Sequence, residues 1–198
     1  MEKRWVIKDA DEDKVNSLQQ ELKVHPVICK LLVQRGIYSY EAAKKFFRPA
    51  ITDLHDPFIM KDMEKAIDRI DKAITNNQRI LIYGDYDVDG TTSVALAFSF
   101  FNSIYKNIDY YIPDRYLEGY GISIKGIDYA KSTNCDLVIA LDCGIKAVDK
   151  IEYANSIGVD FVICDHHIPG DTVPAAYAVL DPHQPDCNYP YKELSGCG

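Results

Sequence analysis

A chain of 198 residues is long enough for one well-filled hydrophobic core or for two small ones. Its composition, 47% hydrophobic and 26% charged, is that of an ordinary globular protein, and the absence of any run of about 18 apolar residues argues against a membrane span. The first residues carry charges with no apolar stretch behind them, which is not expected of a secretory signal, so the expected location is cytoplasmic.

The net charge of -8 is unevenly distributed along the chain. Residues 1–79 carry 15 basic and 13 acidic side chains, whereas residues 80–198 carry 7 basic and 17 acidic ones. Bound divalent cations would offset part of the acidity in the second part. The formal charge therefore does not exclude a nucleic acid as the partner.

The first 78 residues predict a helical N-terminal segment. Apolar residues recur at helical spacing, Ser39 is placed to cap one helix, and Pro49 follows the end of that helix. The stretch over residues 51–60 is predicted to be a loop. The helices are predicted over residues 13–23, 26–34, 39–47 and 61–75.

From residue 79 the pattern changes to short apolar runs that alternate with helix-like segments. Continuous apolar strands joined through helices are typical of an α/β fold in which a parallel sheet, here of about five strands, has helices on both faces. The strands are predicted over residues 79–83, 108–113, 136–141, 160–164 and 177–180. The helices between the first four are predicted over residues 91–104, 122–133 and 146–156.

Acidic and imidazole side chains follow three of these predicted strands, in the motifs GDYDVDG, ALDCG and CDHH. Ligands bind beyond the carboxyl ends of the strands in such sheets, so we expect these side chains to converge. Crowded carboxylates raise one another's pKa unless a cation lies among them, and Asp and His ligands suit Mn²⁺ or Mg²⁺, with the imidazoles favouring Mn²⁺. The candidate metal ligands are Asp85, Asp87, Asp89, Asp142, His166 and His167.

With Asp165 included, the three motifs hold five carboxylates and two imidazoles, more than one six-coordinate ion needs. The sequence therefore predicts two ions about 3.5–4 Å apart, an arrangement that serves phosphoryl transfer.

Other residues near the strand ends suit a nucleic acid. Arg115 could hold a phosphate or pair with Glu118. Ser93 could donate to an anion at a helix N-terminus or cap that helix. Three tyrosines could stack on a base: Tyr86, Tyr116 and Tyr120.

Together these motifs resemble the DHH phosphoesterase superfamily. YGDYDVDGTTS looks like its first motif, ALDCG like its second and CDHH like its third. The segments YYIPDRYLEGYGIS and YPYKELSGCG are similar to the RecJ branch of the superfamily. This resemblance implies a metal-dependent phosphodiesterase, a single-stranded-DNA-specific 5′–3′ exonuclease of DNA repair and recombination. It further implies two Mn²⁺ or Mg²⁺ ions as cofactors, single-stranded DNA as partner, and a single-strand-binding protein or helicase as protein partners.

The resemblance also assigns roles to individual residues. Asp142, His166 and His167 are implied to be catalytic as well as metal-binding, and Asp165 is implied to orient a histidine without binding metal itself. A histidine that is common in the superfamily is replaced here by Tyr83, and Asp85 is the candidate substitute. The helical segment 1–78 would then precede a DHH domain over 79–198. We expect this domain to be truncated before its fourth motif and so to bind metal weakly and to lack processive nuclease activity.

Three alternatives remain on the sequence alone. DVDGT fits the DxDxT pattern of haloacid-dehalogenase-like phosphatases, in which the first Asp is a nucleophile. Another DHH enzyme, an oligonucleotide phosphatase or a pyrophosphatase, would use the same ligands. A RecJ-like binding module would keep the fold without the reaction.

Overall fold

The computed structural model describes residues 4–198, which divide into two compact units. The N-terminal unit contains the residues up to Leu54, and the sheet unit runs from His55 to Gly198. Within residues 4–198, no helix is both long enough and apolar enough to cross a membrane.

The N-terminal unit is built from three helices, α1 (Glu12–Leu22), α2 (Pro26–Gln34) and α3 (Tyr40–Phe47). Their first turns are stabilised by side chains that accept hydrogen bonds from free backbone N–H groups. Asp11 accepts from Asp13 and Lys14, and the Ser39 hydroxyl accepts from the Ala42 N–H at 3.3 Å. The helices enclose a small apolar core: Val15, Leu18, Cys29, Leu32, Val33 and Ala43.

The stretch 51–60, predicted to be a loop, contains two short 3₁₀ helices, Ile51–Asp53 and Pro57–Ile59. Each is fixed by an aspartate that accepts a backbone hydrogen bond. The Asp53 carboxylate accepts from the Ala50 N–H at 2.9 Å, and Asp56 accepts from the Phe58 N–H at 2.9 Å. Such local hydrogen bonds create single turns without an apolar repeat, which is why the sequence pattern did not reveal them.

Helix α4 (Met63–Thr75) belongs to the sheet unit, whereas the sequence analysis placed it in the N-terminal segment. Its buried Ala66 and Ala73 pack in the core beneath the sheet. Arg69, which is 3% exposed, donates to the Asp160 carboxylate at 2.7 Å. These contacts move the division between compact units to Leu54, earlier than the boundary predicted at residue 78.

The sheet has five parallel strands, as the sequence predicted, and their order is β2-β1-β3-β4-β5. Every connection between the first four strands contains a helix, because a parallel neighbour needs a long crossover. The strands are β1 (Arg79–Gly84), β2 (Ile108–Tyr111), β3 (Cys135–Leu141), β4 (Asp160–Cys164) and β5 (Ala178–Leu180). The connecting helices are α5 (Val88–Ile104), α6 (Ile124–Ser132) and α7 (Val148–Ser156).

Both faces of the sheet are covered, and alternate residues of each strand serve the two faces. On β1, Leu81 belongs to a core that it shares with α6 and α7, whereas Ile80 and Ile82 belong to a core that they share with α4 and α5. The chain thus leaves β1 through a helix on one face and reaches β3 through a helix on the other. This change of face places a crevice between the carboxyl ends of β1 and β3, where ligands bind in folds of this kind.

Candidate metal centre

The first acidic motif begins directly after β1, where Asp85 is completely buried. One of its carboxylate oxygens accepts the Tyr86 N–H at 2.8 Å, while Oδ2 is buried with no hydrogen-bond partner among the described residues. Burial raises the pKa of Asp85 above its usual value. Gly90 permits the tight turn, because a Cβ there would lie 2.4 Å from the Asp85 carbonyl oxygen.

The other two acids of this motif lie at the start of α5. Asp87 caps the helix, since its Oδ1 accepts the Gly90 N–H at 2.9 Å. Asp89 lies in the first turn, and its Oδ2 accepts the Gly196 N–H at 2.9 Å. Both carboxylates are thereby held at the N-terminus of α5.

Asp142 follows β3 and is the most constrained acid of the site. Its backbone is left-handed, with φ of 60°, and its N–H continues the ladder to β4 by donating to the Cys164 carbonyl at 2.8 Å. The side chain is buried, and neither carboxylate oxygen has a hydrogen-bond partner among residues 4–198. Burial, followed by repulsion from the Asp87 carboxylate, raises the pKa of Asp142 to about 7.

His166 follows β4 and faces Asp142. Its Nδ1 lies 2.7 Å from the Leu194 carbonyl oxygen, which can only accept, so Nδ1 carries the proton. In the neutral ring Nε2 then presents a lone pair, and it lies 3.2 Å from Asp142 Oδ1 in a contact that is not a hydrogen bond. When Asp142 is ionised, two electron-rich atoms thus face each other without a proton donor between them.

His167 is oriented by Asp165. The Asp165 Oδ1 accepts from the His167 Nδ1 at 2.7 Å and also from the backbone N–H groups of both histidines, while its Oδ2 accepts the Ile145 N–H at 2.9 Å. Burial alone would lower the pKa of His167, but the hydrogen bond to Asp165 together with the charges of Asp165 and Asp142 outweighs burial, and the pKa is raised. Because Nδ1 donates to Asp165, the neutral ring accepts at Nε2, where the Tyr120 hydroxyl donates at 2.9 Å.

Ligand atoms of Asp142, His166 and His167 all lie within 4.8 Å of one another. Buried oxygens of Asp85 and Asp142 and the Nε2 lone pair of His166 lack donors, so the site has an excess of electron-rich atoms. A hard or borderline divalent cation would satisfy them, and this set of oxygen and imidazole ligands suits Mn²⁺ or Mg²⁺. The residues therefore fit the metal that the sequence predicted.

The residues predicted to contact substrate differ in their placement. The exposed Arg115 guanidinium lies over the Tyr86 ring, 5.3 Å from its centroid. Within residues 4–198 it forms no ion pair with Glu118, whose carboxylate instead accepts from the Tyr111 and Ser123 hydroxyls. The exposed Arg115 and the half-buried Tyr86 thus form a cation–aromatic pair next to the first acidic motif.

The Ser93 hydroxyl donates within its own helix rather than to a substrate anion. Ser93 is 5% exposed, and its hydroxyl donates to the Asp89 carbonyl of its own helix at 2.7 Å. It also lines a 510 Å³ cavity whose walls include Leu96, Phe100 and Leu180. Ser inside a helix commonly donates its hydroxyl to a carbonyl of the preceding turn. Because this donor is already used, we leave Ser93 out of the proposed substrate-binding set.

Three residues of the site were not assigned to the metal centre from the sequence. Tyr120 was considered only as a stacking residue, and it instead donates to His167 while its ring lies edge-on to Tyr86 at 6.3 Å. Leu194 and Gly196 contribute backbone groups, which carry no side-chain signature. The glycines around Tyr120 and in LSGCG were the only signals in the sequence.

Comparison with known proteins agrees with this geometry. The model of the DHH family, N-terminal domain, matches residues 79–198. The chain is 43% identical over 195 residues to the single-stranded-DNA-specific exonuclease RecJ of Bacillus subtilis, a match that covers 98% of this chain and 25% of that protein. It is 33% identical over 199 residues to RecJ of Escherichia coli, covering 100% of this chain and 33% of the relative.

Solved structures show the same fold. A crystal structure of exonuclease RecJ bound to manganese superposes with a TM-score of 0.65 at 28% identity, covering 73% of this chain and 37% of the other. RecJ from Thermus thermophilus in complex with Mn²⁺ gives a TM-score of 0.70 at 23% identity, and the match covers 95% of this chain and 26% of the other. At this identity the comparison supports the fold alone. The chain spans between a quarter and a third of the length of the two curated relatives above.

Proposed function

Since the chain belongs to the DHH family, we propose that it carries the metal centre of a phosphodiesterase that degrades single-stranded DNA, in the 5′ to 3′ direction that the resemblance implies. The observation that carries the proposal is the buried Asp142 carboxylate, whose two oxygens have no hydrogen-bond partner among the described residues and face the His166 lone pair. The curated relatives named above are single-stranded-DNA-specific exonucleases.

Two Mn²⁺ or Mg²⁺ ions would be held by six residues, with the imidazoles favouring Mn²⁺. The ions would supply positive charge against the phosphoryl oxygens in the transition state. Two features of the site prepare these ligands. The Leu194 carbonyl keeps the proton of His166 on Nδ1, and Asp165 keeps that of His167 on Nδ1, so that both Nε2 atoms carry a lone pair; that of His167 accepts the Tyr120 hydroxyl. The proposed ligands are Asp85, Asp87, Asp89, Asp142, His166 and His167.

The proposed path of the DNA runs past Arg115, which is exposed, and Tyr86, which is half-buried. A guanidinium can hold a phosphate through two hydrogen bonds, and an aromatic ring can stack on an unpaired base whatever its identity. A duplex also offers its phosphates to a guanidinium, but a base can stack on the Tyr86 ring only if it is not already stacked within a duplex. This arrangement therefore favours a single strand as the substrate.

The haloacid-dehalogenase-like alternative is not supported. It would make Asp87 the nucleophile, but Asp87 follows the end of β1 at Gly84 by three positions and is committed to capping α5. The haloacid-dehalogenase-like alternative also gives no role to the Asp165-His166-His167 motif. The match of residues 79–198 to the DHH family decides between the two.

The proposed function is tested with a 5′-labelled single strand, the purified chain and millimolar Mn²⁺. We expect slow release of nucleotides from the single strand that stops in EDTA and is much slower on a duplex of the same sequence. Asp142→Asn should reduce the rate by a factor of about 100 or more, because it removes charge that holds the ions.

Other outcomes would favour the remaining alternatives. Hydrolysis of pyrophosphate or of dinucleotides, with no action on long strands, would favour another DHH phosphoesterase. Binding of Mn²⁺ and of single-stranded DNA with no hydrolysis would favour a non-catalytic binding module. The cytoplasmic location, the protein partners and residues 79–198 as the extent of the DHH domain stay predictions.

A further inference from the structure

The segment Leu194–Gly196 reaches the metal centre from a part of the chain that carries none of the predicted ligands. The Leu194 carbonyl accepts from His166 Nδ1 at 2.7 Å, and the Gly196 N–H donates to Asp89 Oδ2 at 2.9 Å. These two ligands follow β4 and begin α5, respectively. One short piece of backbone therefore connects two different elements that contribute to the same site.

The contact with Leu194 determines which nitrogen of His166 can bind metal. A carbonyl oxygen cannot donate, so the proton of the neutral ring must be on Nδ1, and the lone pair must be on Nε2. That nitrogen is the one that lies 3.2 Å from Asp142 Oδ1. Without the carbonyl, nothing in this contact would prevent the proton from moving to Nε2, where it would block the lone pair.

Gly196 lies against Asp142 so closely that no other residue fits. A Cβ on Gly196 would stand 1.9 Å from Asp142 Oδ1 and 2.3 Å from Asp142 Cγ. Gly198, two residues further on, offers a matched contrast, because a Cβ there would meet its nearest neighbours at 3.4 Å, an ordinary contact distance. Glycine is thus required at position 196 because the Asp142 carboxylate leaves no space for a Cβ.

We infer that the Leu194–Gly196 backbone is a wall of the metal centre, and that Gly196 is a positioning residue for the ligands Asp89 and Asp142. This inference rests on the proposed metal centre and extends it to residues that bind no metal through their side chains. A side chain at position 196 must displace either the Asp142 carboxylate or the whole segment. Displacing the segment also withdraws the Gly196 N–H from Asp89 and the Leu194 carbonyl from His166.

The test compares Gly196→Ala with Gly198→Ala in the same chain. Mn²⁺ affinity is measured by calorimetry or by the EPR signal of free Mn²⁺, and thermal unfolding is measured in EDTA. We expect Gly196→Ala to weaken Mn²⁺ binding by about 10- to 100-fold, the range typical of lost positioning contacts, and Gly198→Ala to bind as the wild type does. Equal affinities for the wild type and the folded Gly196→Ala variant would overturn the inference.

A second measurement separates this inference from the proposed function and does not depend on the variant's folding. ¹⁵N correlation spectra of the wild-type chain in EDTA report which nitrogen of His166 is protonated. We expect Nδ1–H in the wild type and, where Gly196→Ala folds, a shift toward Nε2–H. An Nε2–H tautomer in the wild type would overturn the inference whatever the metal affinity. A wild type that shows Nδ1–H but binds no Mn²⁺ would instead refute the proposed function.

Discussion

The two units of the molecule differ in whether they bury polar side chains. In the described part of the N-terminal unit the buried side chains are apolar, and ion pairs such as Lys30–Glu12, at 3.4 Å, lie at the surface. In the sheet unit, four aspartates are buried together with other polar groups, and three of them have carboxylate oxygens without a hydrogen-bond partner among residues 4–198. The four are Asp85, Asp142, Asp165 and Asp181.

The described part of the N-terminal unit buries only side chains that stabilise its fold, whereas the sheet unit also buries side chains that destabilise it. A buried carboxylate without a partner destabilises the folded state, because it has lost its hydration and gained nothing in return. Protonation or a bound cation removes that penalty. The sheet unit should therefore lose stability as buried carboxylates ionise and gain stability from divalent metal, whereas the N-terminal unit should not respond to divalent metal.

The largest expected effect comes from Asp142→Asn. At a Mn²⁺ concentration of about 100 times Kd, the wild-type sheet unit should gain about 2.7 kcal/mol of stability, and the variant should gain none. Asparagine also tolerates the left-handed backbone at this position, so the fold should be retained. Thermal unfolding with and without Mn²⁺ measures the gain, which corresponds to a rise in Tm of about 5–10 °C.

The control for this prediction is Asp11→Asn in the N-terminal unit. Asp11 caps α1 through its carboxylate, and Asn caps a helix about as well. The Mn²⁺-induced rise in Tm should be unchanged. A rise that persists in Asp142→Asn, or disappears in Asp11→Asn, would contradict the comparison between the units.

The second effect concerns Asp181, which is fully buried and has one carboxylate oxygen without a partner. Burial raises its pKa from 3.8 to about 6, so the folded state binds the proton more tightly than the unfolded state does. Stability should therefore fall as the pH rises from about 4 to about 6, by about 3 kcal/mol in total. Asp181→Asn removes this penalty but leaves an amide without an acceptor, so we expect a net gain of about 2 kcal/mol at about pH 8.

Denaturant unfolding at two pH values measures this gain. At about pH 4 the advantage of Asp181→Asn should disappear, because the wild-type carboxylate is then largely protonated in the folded state. Asp56→Asn, which alters an exposed carboxylate at the start of a 3₁₀ helix, serves as the control and should show no comparable dependence. A gain for Asp181→Asn that is the same at both pH values would assign it to packing rather than to charge.

The smallest effect is expected from Ser39→Ala in the N-terminal unit. The Ser39 hydroxyl accepts the Ala42 N–H at 3.3 Å, a long hydrogen bond, so its loss should cost about 0.5 kcal/mol. The loss should be equal in EDTA and in Mn²⁺ and equal at acidic and neutral pH. A dependence on metal would show that the helical unit is coupled to the site, and Ser39→Thr, which can also cap, should restore the stability.

The strands and most helices could be predicted from the sequence because the apolar residues of each follow a local pattern. The run from Arg79 to Tyr83 is apolar and β-branched, and it became β1; the residues from Met63 to Thr75 have helical spacing, and they became α4. The convergence of Asp142, His166 and His167 could be predicted because the carboxyl ends of parallel strands share one edge of the sheet.

The remaining features depend on contacts between residues far apart in the sequence. The Leu194 carbonyl and the Gly196 N–H act through the backbone, which every residue possesses, so residue type gave no indication of their role. The hydroxyl of Ser93 could reach either an anion or its own helix, and only the coordinates decide between them. The two compact units likewise divide at Leu54 because Arg69 is buried against Asp160, a pairing that no local pattern reveals.

The left-handed backbone of Asp142 has a consequence for how this chain would change under selection. A residue with a Cβ in that conformation is strained by about 1–2 kcal/mol relative to glycine. Selection for thermal stability alone would therefore replace Asp142 with glycine, relieving both the backbone strain and the buried charge. A stabilised descendant of this sequence would keep the fold and lose the ligand. Retention of Asp142 in a population of random variants would thus report selection on the metal centre rather than on folding.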